Sequence, residues 1–141
     1  MSKIIIGIDP DSKAHGVAVY LNGSLVRLQS MPLIDLFKYV DEATRITGWD
    51  IEAHIEDVKA RRAAWHGGGV GGAIDVGKCH QAQTEAERVF DYFKIKVVKH
   101  KISKLWKSQA SKKQFEKVTG WKKPSNEDTR SAAYFGWLGS R

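Results

Sequence analysis

The sequence predicts an α/β fold, in which a mixed five-stranded sheet of three antiparallel strands followed by parallel strands carries helices on both faces. The isoleucine-rich run at residues 4–8 is typical of a strand that is buried on both faces. Strands at 16–20 and 24–28 follow, and Asn22-Gly23 between them has the residues of a type I′ hairpin. After residue 32, helical and strand patterns alternate, which is typical of parallel strands covered by helices.

The later elements are predicted from apolar periodicity and from helix-ending glycines. Gly48 and Gly120 each follow a helical pattern, and Ser125 or Asn126 is the expected cap of the last helix. The expected ranges are helices at 32–47, 73–93, 111–119 and 126–138, strands at 51–58 and 95–98, and an irregular segment at 59–72.

The length and the cysteine content indicate one cytoplasmic domain spanning residues 1–141. A single cysteine, Cys79, excludes an internal disulfide and fits a reducing compartment. No apolar run reaches the roughly 18 residues that a membrane span needs, and residues 1–3 lead into a strand rather than a signal peptide. A bacterial cell or a phage-infected host cell would suit such a protein.

The charge of the chain is unevenly distributed. The net charge is +7, but the segment 94–123 holds 11 lysines and one acid, Glu116, for a local charge of +10. The rest of the chain is net negative, at −3. This division predicts that one segment binds a polyanion while another part of the chain holds cations.

Three acids occupy positions where they can converge. Asp9 ends the first strand, Glu56 lies near the end of the fourth, and Asp128 begins the last helix. If strands one and four are neighbours, these carboxylates meet at one edge of the sheet and repel one another unless divalent ions lie between them. Oxygen-only ligation favours Mg²⁺ or Mn²⁺ over zinc, and two such ions about 4 Å apart would promote phosphodiester hydrolysis.

The irregular segment is expected to face DNA. It carries Lys59, Arg61, Arg62 and Trp65 before a glycine run that starts after His66. This run lacks the Lys-Ser/Thr of a P-loop, so no nucleotide cofactor is expected. A long loop in a compact domain is normally functional or disordered, and DNA is the ligand we expect for this one.

The chain resembles the RuvC-type Holliday junction resolvases of the ribonuclease H-like superfamily over nearly its whole length. The residues that carry the resemblance are 5–10, 16–19, 55–58, 72–77, 95–98, the region of Lys101 and Lys112, and 128–133. The first of these motifs is shared with sugar kinases and actin-like ATPases, but those proteins need two such domains.

The resemblance implies a homodimeric, Mg²⁺-dependent endonuclease that nicks two like-polarity strands of a four-way DNA junction and leaves ends that can be ligated. Asp9 and Glu56 match the first two metal-binding acids of the family, and Asp128 matches an acid of its C-terminal motif. Lys112, or a neighbouring lysine, would stabilise the charge that develops on the phosphate. The residues expected to bind DNA are Lys59, Arg61, Arg62, Trp65, Lys101, Lys104, Lys107, Lys112 and Lys113.

The long helix from Ala73 would pack against its partner in such a dimer. The candidate interface residues are Ala82, Ala86, Val89 and Phe90, and the alternative is that this stripe belongs to the core of a single chain.

The sequence departs from the family pattern at two places. Asp11 stands where the family usually has glycine. Ser131 and Ala132 stand where the family carries a second C-terminal acid, so either Glu127 or Asp128 completes the metal ligands with Asp9 and Glu56, or the site is weakened.

Three alternatives to the resolvase remain, and Ala132 motivates the first of them. The chain would be a binding module for branched nucleic acid that does not cut it, a nuclease acting on RNA–DNA hybrids, or a fragment of an actin-like phosphotransferase.

Overall fold

The computed structural model describes residues 2–60 and 69–141, and side chains for 2–60 and 74–141. The elements follow the predicted order of strands and helices. The strands are β1 Lys3–Asp9, β2 His15–Leu21, β3 Ser24–Met31, β4 Asp50–Glu56 and β5 Lys96–His100. The helices are α1 Leu33–Thr47, α2 Gly69–Tyr92, α3 Gln109–Thr119 and α4 Glu127–Ser140, and a 3-10 turn spans Val58–Ala60.

The five strands form one mixed sheet in the order β3-β2-β1-β4-β5. β1 is antiparallel to β2 and parallel to β4, so the strand that ends in Asp9 lies at the centre of the sheet. β4 in turn is parallel to β5. The predicted fold class is confirmed, including the three-stranded antiparallel meander followed by parallel strands.

Each face of the sheet carries its own core, because successive side chains of a strand point to opposite faces. Ile4, Ile6 and Ile8 of β1 pack with buried residues of α1 and α2. Ile5 of β1 packs on the other face, with Phe115 of α3 and with residues of α4. Helices therefore cover both faces, and the isoleucine run is buried on both, as predicted.

The apolar stripe of α2 belongs to the core of the single chain. Ala86, Val89 and Phe90 pack in the same cluster as the strands, and Ala82 is also buried. Burial within their own chain favours the intrachain alternative for all four residues, and their place in a dimer interface stays a prediction.

Local turn and capping signals are confirmed residue by residue. Asn22 and Gly23 both have positive φ, at 49° and 87°, as a type I′ hairpin requires. Gly48 and Gly120 end α1 and α3 in the left-handed conformation. Asn126, not Ser125, caps α4: its side chain accepts a hydrogen bond from the backbone N–H of Thr129.

Several elements begin or end at residues other than the predicted ones. β3 continues past residue 28 to Met31 because it follows β2 to its first residue, His15. β4 ends at Glu56, and Val58 instead begins the 3-10 turn. α2 begins at Gly69 rather than Ala73, although glycine disfavours helix. Within residues 2–60 and 69–141, none of the helices is both long and apolar enough to cross a membrane.

Glycines allow α4 to lie directly on the backbone of the sheet. A Cβ on Gly7 of β1 would overlap the carbonyl oxygen of Ala132, and a Cβ on Gly136 would overlap the ring of Tyr20. The Tyr20 hydroxyl donates a 2.6 Å hydrogen bond to the carbonyl oxygen of Ala133. These contacts fix the position of α4 along β1 and β2.

We predict that Gly7→Ala lowers the free energy of unfolding by about 2 kcal/mol or more, because the added methyl group meets backbone atoms of α4 that cannot rotate away. Urea denaturation measures the change. The matched control is Gly77→Ala in α2, where nothing lies within 4 Å of the added Cβ. We expect Gly77→Ala to stabilise the protein by up to about 1 kcal/mol. Equal effects of the two substitutions would contradict this account of the packing.

Candidate active site

The parallel pairing of β1 and β4 brings two buried acids together. Ile8 of β1 is the register partner of Ile55 of β4, so the next residues, Asp9 and Glu56, lie side by side at the carboxyl ends of their strands. Each residue is only 4% exposed. This is the juxtaposition that the sequence predicts for strands one and four.

A close backbone contact brings the third acid to the same place. Gly16 of β2 is the register partner of Asp9, and a Cβ on Gly16 would overlap the carbonyl oxygen of Asp128. The hydrogen bond between the Asn126 cap and Thr129 fixes the first turn of α4, which contains Asp128. The N-terminus of α4 therefore lies beside the end of β1.

The three acids line one cavity of about 490 Å³. Its wall is formed by the ends of β1 and β4 with the residues just after them, by the segment that joins β5 to α3, by the first turn of α4 and by one residue of α2. The lining residues are Asp9, Pro10, Asp11, Glu56, Val58, Cys79, Ile102, Ser103, Lys104, Lys107, Ser108, Glu127 and Asp128.

The lysine in contact with these acids is Lys107. Its Nζ lies 3.3 Å from Oδ2 of Asp9, with 30% of the lysine side chain and 5% of the aspartate side chain exposed. The two groups lie within ion-pair distance, although the geometry leaves this buried Oδ2 without a hydrogen bond. Burial by itself would lower the pKa of Lys107, but the nearby Asp9, Glu56 and Asp128 outweigh burial and raise it.

Lys112, which the sequence prediction names as an alternative to its neighbouring lysines, is not among the residues that line the cavity. It lies on α3, which begins at Gln109. The lysine repeat at 101, 104 and 107 gives no local signal for which lysine faces the acids, and the fold selects Lys107 and Lys104.

The electrostatics of the pocket disfavour negative charge on Asp9. The pKa of Asp9 is raised to about 7, mainly by burial; Glu56 and Asp128 add to this rise, and Lys107 acts in the opposite direction. Burial also raises the pKa of Asp128, which Lys107 lowers and Asp11 raises. An additional cation in this pocket would relieve the repulsion among these acids.

Ser131 and Ala132 are the two residues at which the sequence comparison expects a second C-terminal acid. Ser131 is the one beside Asp9. It is fully buried, its Oγ has no hydrogen-bond partner among the described residues, and its proximity lowers the pKa of Asp9. Ala132 is equally buried, with its carbonyl oxygen against Gly7. A hydroxyl group, and not a carboxylate, thus lies beside Asp9 at position 131 of α4.

The donor set fits a hard divalent cation, although the acids do not form a closed cage. In the part of the chain that the structure describes, no three His, Cys, Asp or Glu side chains are arranged closely enough to hold a metal ion. The pocket nevertheless offers carboxylate oxygens from Asp9, Glu56, Asp128 and Glu127, including the buried Oδ2 of Asp9. Oxygen donors of this kind suit Mg²⁺ or Mn²⁺.

The other predicted basic residues are less closely tied to the pocket. Lys101 and Lys113 are exposed and do not line it. Lys59 lies 3.6 Å from Glu87 of α2, which lies equally close to Lys99. The predictions for Arg61, Arg62 and Trp65 concern residues outside the described part of the chain.

Three polar side chains that the sequence alone does not bring together, those of Glu52, His54 and His100, are linked by short contacts. His54 Nε2 lies 2.6 Å from Glu52 Oε1, and His54 Nδ1 lies 2.7 Å from Nε2 of His100, the register partner of Glu56. Burial lowers the pKa of His100, and His54 lowers it further. The alternation of β4 places Glu52, His54 and Glu56 on one face, but the contact with His100 depends on the register of β5.

We predict that Asp9→Asn stabilises the protein increasingly as the pH rises from 4 to 7. Because the pKa of Asp9 is about 7, the folded protein keeps a proton over this range that the unfolded chain releases, and stability falls as the pH rises. The substitution removes this loss, which is about 1.4 kcal/mol for each unit of pKa shift.

Thermal and urea unfolding of both proteins at pH 4 to 8 measures this difference. His15 and His100, whose pKa values burial lowers, are present in both proteins and cancel. Asp41→Asn, on the surface of α1, shows what an exposed substitution of the same kind does. A difference between Asp9→Asn and the parent that stays constant with pH would contradict the prediction.

Comparison with known proteins agrees with the predicted fold. No protein-family model and no curated protein sequence matches this chain. The structure is similar to that of Thermus thermophilus RuvC in complex with a Holliday junction substrate, with a TM-score of 0.63 and 13% identity over 96% of this chain and 90% of that chain. A second Thermus thermophilus RuvC structure gives 0.60 and 13% over 95% and 91%. The likeness shows that the chain has the fold of the RuvC-type resolvases.

Proposed function

We propose that this chain is a metal-dependent endodeoxyribonuclease that resolves four-way DNA junctions by paired hydrolytic nicks. The observation that carries the proposal is the shared pocket of Asp9, Glu56 and Asp128, closed on one side by Lys104 and Lys107. Its setting on a fold shared with RuvC, one structure of which contains a Holliday junction substrate, supports the substrate class.

Each residue of the pocket has a distinct task in this proposal. Asp9, Glu56 and Asp128, together with the exposed Glu127, would hold Mg²⁺ or its substitute Mn²⁺. When bound, such ions supply an activated water and stabilise the leaving oxygen of a phosphodiester. Asp9 and Glu56 are buried at strand ends, so their carboxylates are held rigidly. The Lys107 ammonium stabilises the negative charge that develops on the phosphate.

Lysine–phosphate contacts provide most of the affinity in this proposal. Lys104 and Lys107 border the pocket, and the segment 94–123 has a local charge of +10. Counterion release makes such binding fall steeply with salt. The predicted DNA contacts of Arg61, Arg62 and Trp65 would extend this surface.

Paired nicks require two active sites, so the proposal includes a homodimer. Because the stripe of α2 is buried within its own chain, exposed surfaces are more accessible to a partner. Exposed apolar side chains on α1 and α2 are the candidates for this contact: Ile34 and Ile46 on α1, and Ile74 and Tyr92 on α2.

Ser131 favours a second candidate function, the recognition of branched DNA without cleavage. With a hydroxyl group rather than a carboxylate at this position and no closed metal cage among the described residues, metal binding would be weakened while the lysine surface persists. The two candidates differ in one measurable property, cleavage.

We predict paired, symmetric nicks on labelled four-way junctions in Mg²⁺ or Mn²⁺. Asp9→Asn is expected to reduce the rate at least about a hundredfold while junction binding persists, because it removes a buried ligand but no lysine. The same assay includes duplex DNA, an RNA–DNA hybrid and ATP. Junction binding without nicks in either metal supports the binding module, preferred cleavage of the hybrid supports a hybrid nuclease, and ATP turnover supports a phosphotransferase.

Two lysine variants test which lysine acts at the phosphate. Lys107→Met is expected to lower the single-turnover rate by about 10²–10³-fold, because it removes a charge that lies 3.3 Å from Asp9. Lys112→Met on α3 serves as the matched control and is expected to weaken DNA binding while the rate at saturating protein stays within about threefold. The reverse ranking of the two rates would restore the sequence-based assignment to Lys112.

A further inference from the structure

A buried arginine contacts the backbone of the segment that carries Lys107. Arg130 is two residues after Asp128 on α4 and is only 3% exposed. Its guanidinium donates three hydrogen bonds: Nε to the carbonyl oxygen of Trp106 at 2.8 Å, Nη2 to that of Lys107 at 2.7 Å, and Nη1 to Oγ of Ser125 at 3.1 Å. Two of its three acceptors are thus the backbone that carries Lys107.

The environment of Arg130 is unusual for a buried charge. In the described part of the chain its side chain is hydrogen-bonded to carbonyl and hydroxyl oxygens, and it forms no ion pair with a carboxylate. A buried cation without a counterion is costly, and a well-packed apolar side chain is often at least as stable in such a place. Stability alone is therefore a weak explanation for an arginine here.

The backbone that Arg130 contacts is itself held in an unfavourable conformation. Residues 104–107 form a turn, with the Lys107 N–H donating to the carbonyl oxygen of Lys104 at 3.1 Å. Trp106 has a φ of 68°, which bulky side chains rarely adopt and which persists only when its surroundings impose it. Its buried ring packs against Phe115 and Tyr134.

We propose that Arg130 is a positioning residue that holds the 104–107 turn in the conformation that places the Lys107 ammonium against Asp9. Asp128 and Arg130 lie in the same helical turn of α4. One helix therefore places the Asp128 carboxylate in the pocket and, through the 104–107 turn, the Lys107 ammonium that faces the acids. The placement of Lys107 stands on the contacts above, and only its effect on a bound metal rests on the proposed function.

This role makes a prediction opposite in sign to that of a purely structural role. If Arg130 holds Lys107 beside Asp9, releasing Lys107 removes a competing cation, and a divalent ion binds more tightly. If Arg130 merely stabilises α4, its loss displaces Asp128, and a divalent ion binds more weakly.

The first test is calorimetric titration with Mn²⁺ alone, in the absence of DNA, of the parent protein, Lys107→Met, Arg130→Lys and the double variant. Lys107→Met is expected to bind Mn²⁺ about tenfold more tightly, the scale of one nearby charge. Arg130→Lys keeps a positive charge but loses the planar guanidinium that makes several hydrogen bonds at once. This variant is expected to bind Mn²⁺ about threefold to tenfold more tightly than the parent protein. In the Lys107→Met background, Arg130→Lys is expected to have no further effect.

Weaker or unchanged Mn²⁺ binding by Arg130→Lys would overturn the proposal, as would an equal effect with and without Lys107. Arg45→Lys, on the surface of α1, is the matched control and is expected to leave Mn²⁺ binding unchanged. The absence of Mn²⁺ binding in every variant would contradict the metal dependence in the proposed function, and the second test then decides the role of Arg130.

The second test measures the acetylation rate of individual lysines in the folded protein by peptide mass spectrometry. Lys107 is expected to react several-fold more slowly than the exposed Lys104 in the parent and at a rate close to that of Lys104 in Arg130→Lys. An unchanged Lys107 rate, or an equal rise at Lys104, would overturn the proposal. If circular dichroism shows that Arg130→Lys does not fold, Ser125→Ala decides: a rise of at least twofold at Lys107 supports the proposal, and no rise overturns it.

Discussion

Direct packing of α4 on the backbone of β1 and β2 determines where the acids of the pocket meet. Gly7 and Gly16 leave room for the carbonyl oxygens of Ala132 and Asp128, so the helix lies on the sheet without side chains between them. This approach places the first turn of α4 at the carboxyl end of β1. It therefore determines that an acid 119 positions after Asp9 in the sequence shares its pocket.

Local signals in the sequence were sufficient to predict most of the fold. The hairpin at Asn22-Gly23 and the left-handed glycines that end α1 and α3 depend on backbone preferences of one or two residues, which the sequence states directly. The adjacency of Asp9 and Glu56 follows from strand order, which the predicted sequence of elements restricts to few choices. Features that depend on long-range contacts could not be predicted from local signals. The last residues of β3 depend on pairing with β2, and the burial of the α2 stripe depends on which face of that helix packs against the sheet.

The choice of lysine shows why site residues are harder to predict than strands. Lys107 faces the acids because of a left-handed tryptophan and a buried arginine that comes 23 residues later. Neither has a local sequence signature, whereas the lysine repeat around them suggests several equivalent candidates. The acids were predictable because each ends or begins a secondary-structure element.

The pocket holds several acids whose negative charges repel one another, together with one lysine that attracts them. Burial and neighbouring acids raise the pKa of Asp9 to about 7, and Lys107 offsets only part of that effect. Such destabilising electrostatics are typical of functional sites, where charge is held ready for a ligand. In the proposed nuclease that ligand is a divalent ion beside a DNA phosphate. Lys107 lies beside Asp9 before the ion binds, and it contacts the phosphate once the ion and the DNA are bound.

Anomalous diffraction from a crystal soaked in Mn²⁺ would locate the divalent ion itself. We expect a peak within about 2.5 Å of carboxylate oxygens of Asp9 and Asp128, with the Lys107 ammonium displaced from its place beside Asp9. A saturating soak that gives no peak in the pocket, with Lys107 still paired with Asp9, would contradict the claim that these acids converge to bind a divalent cation.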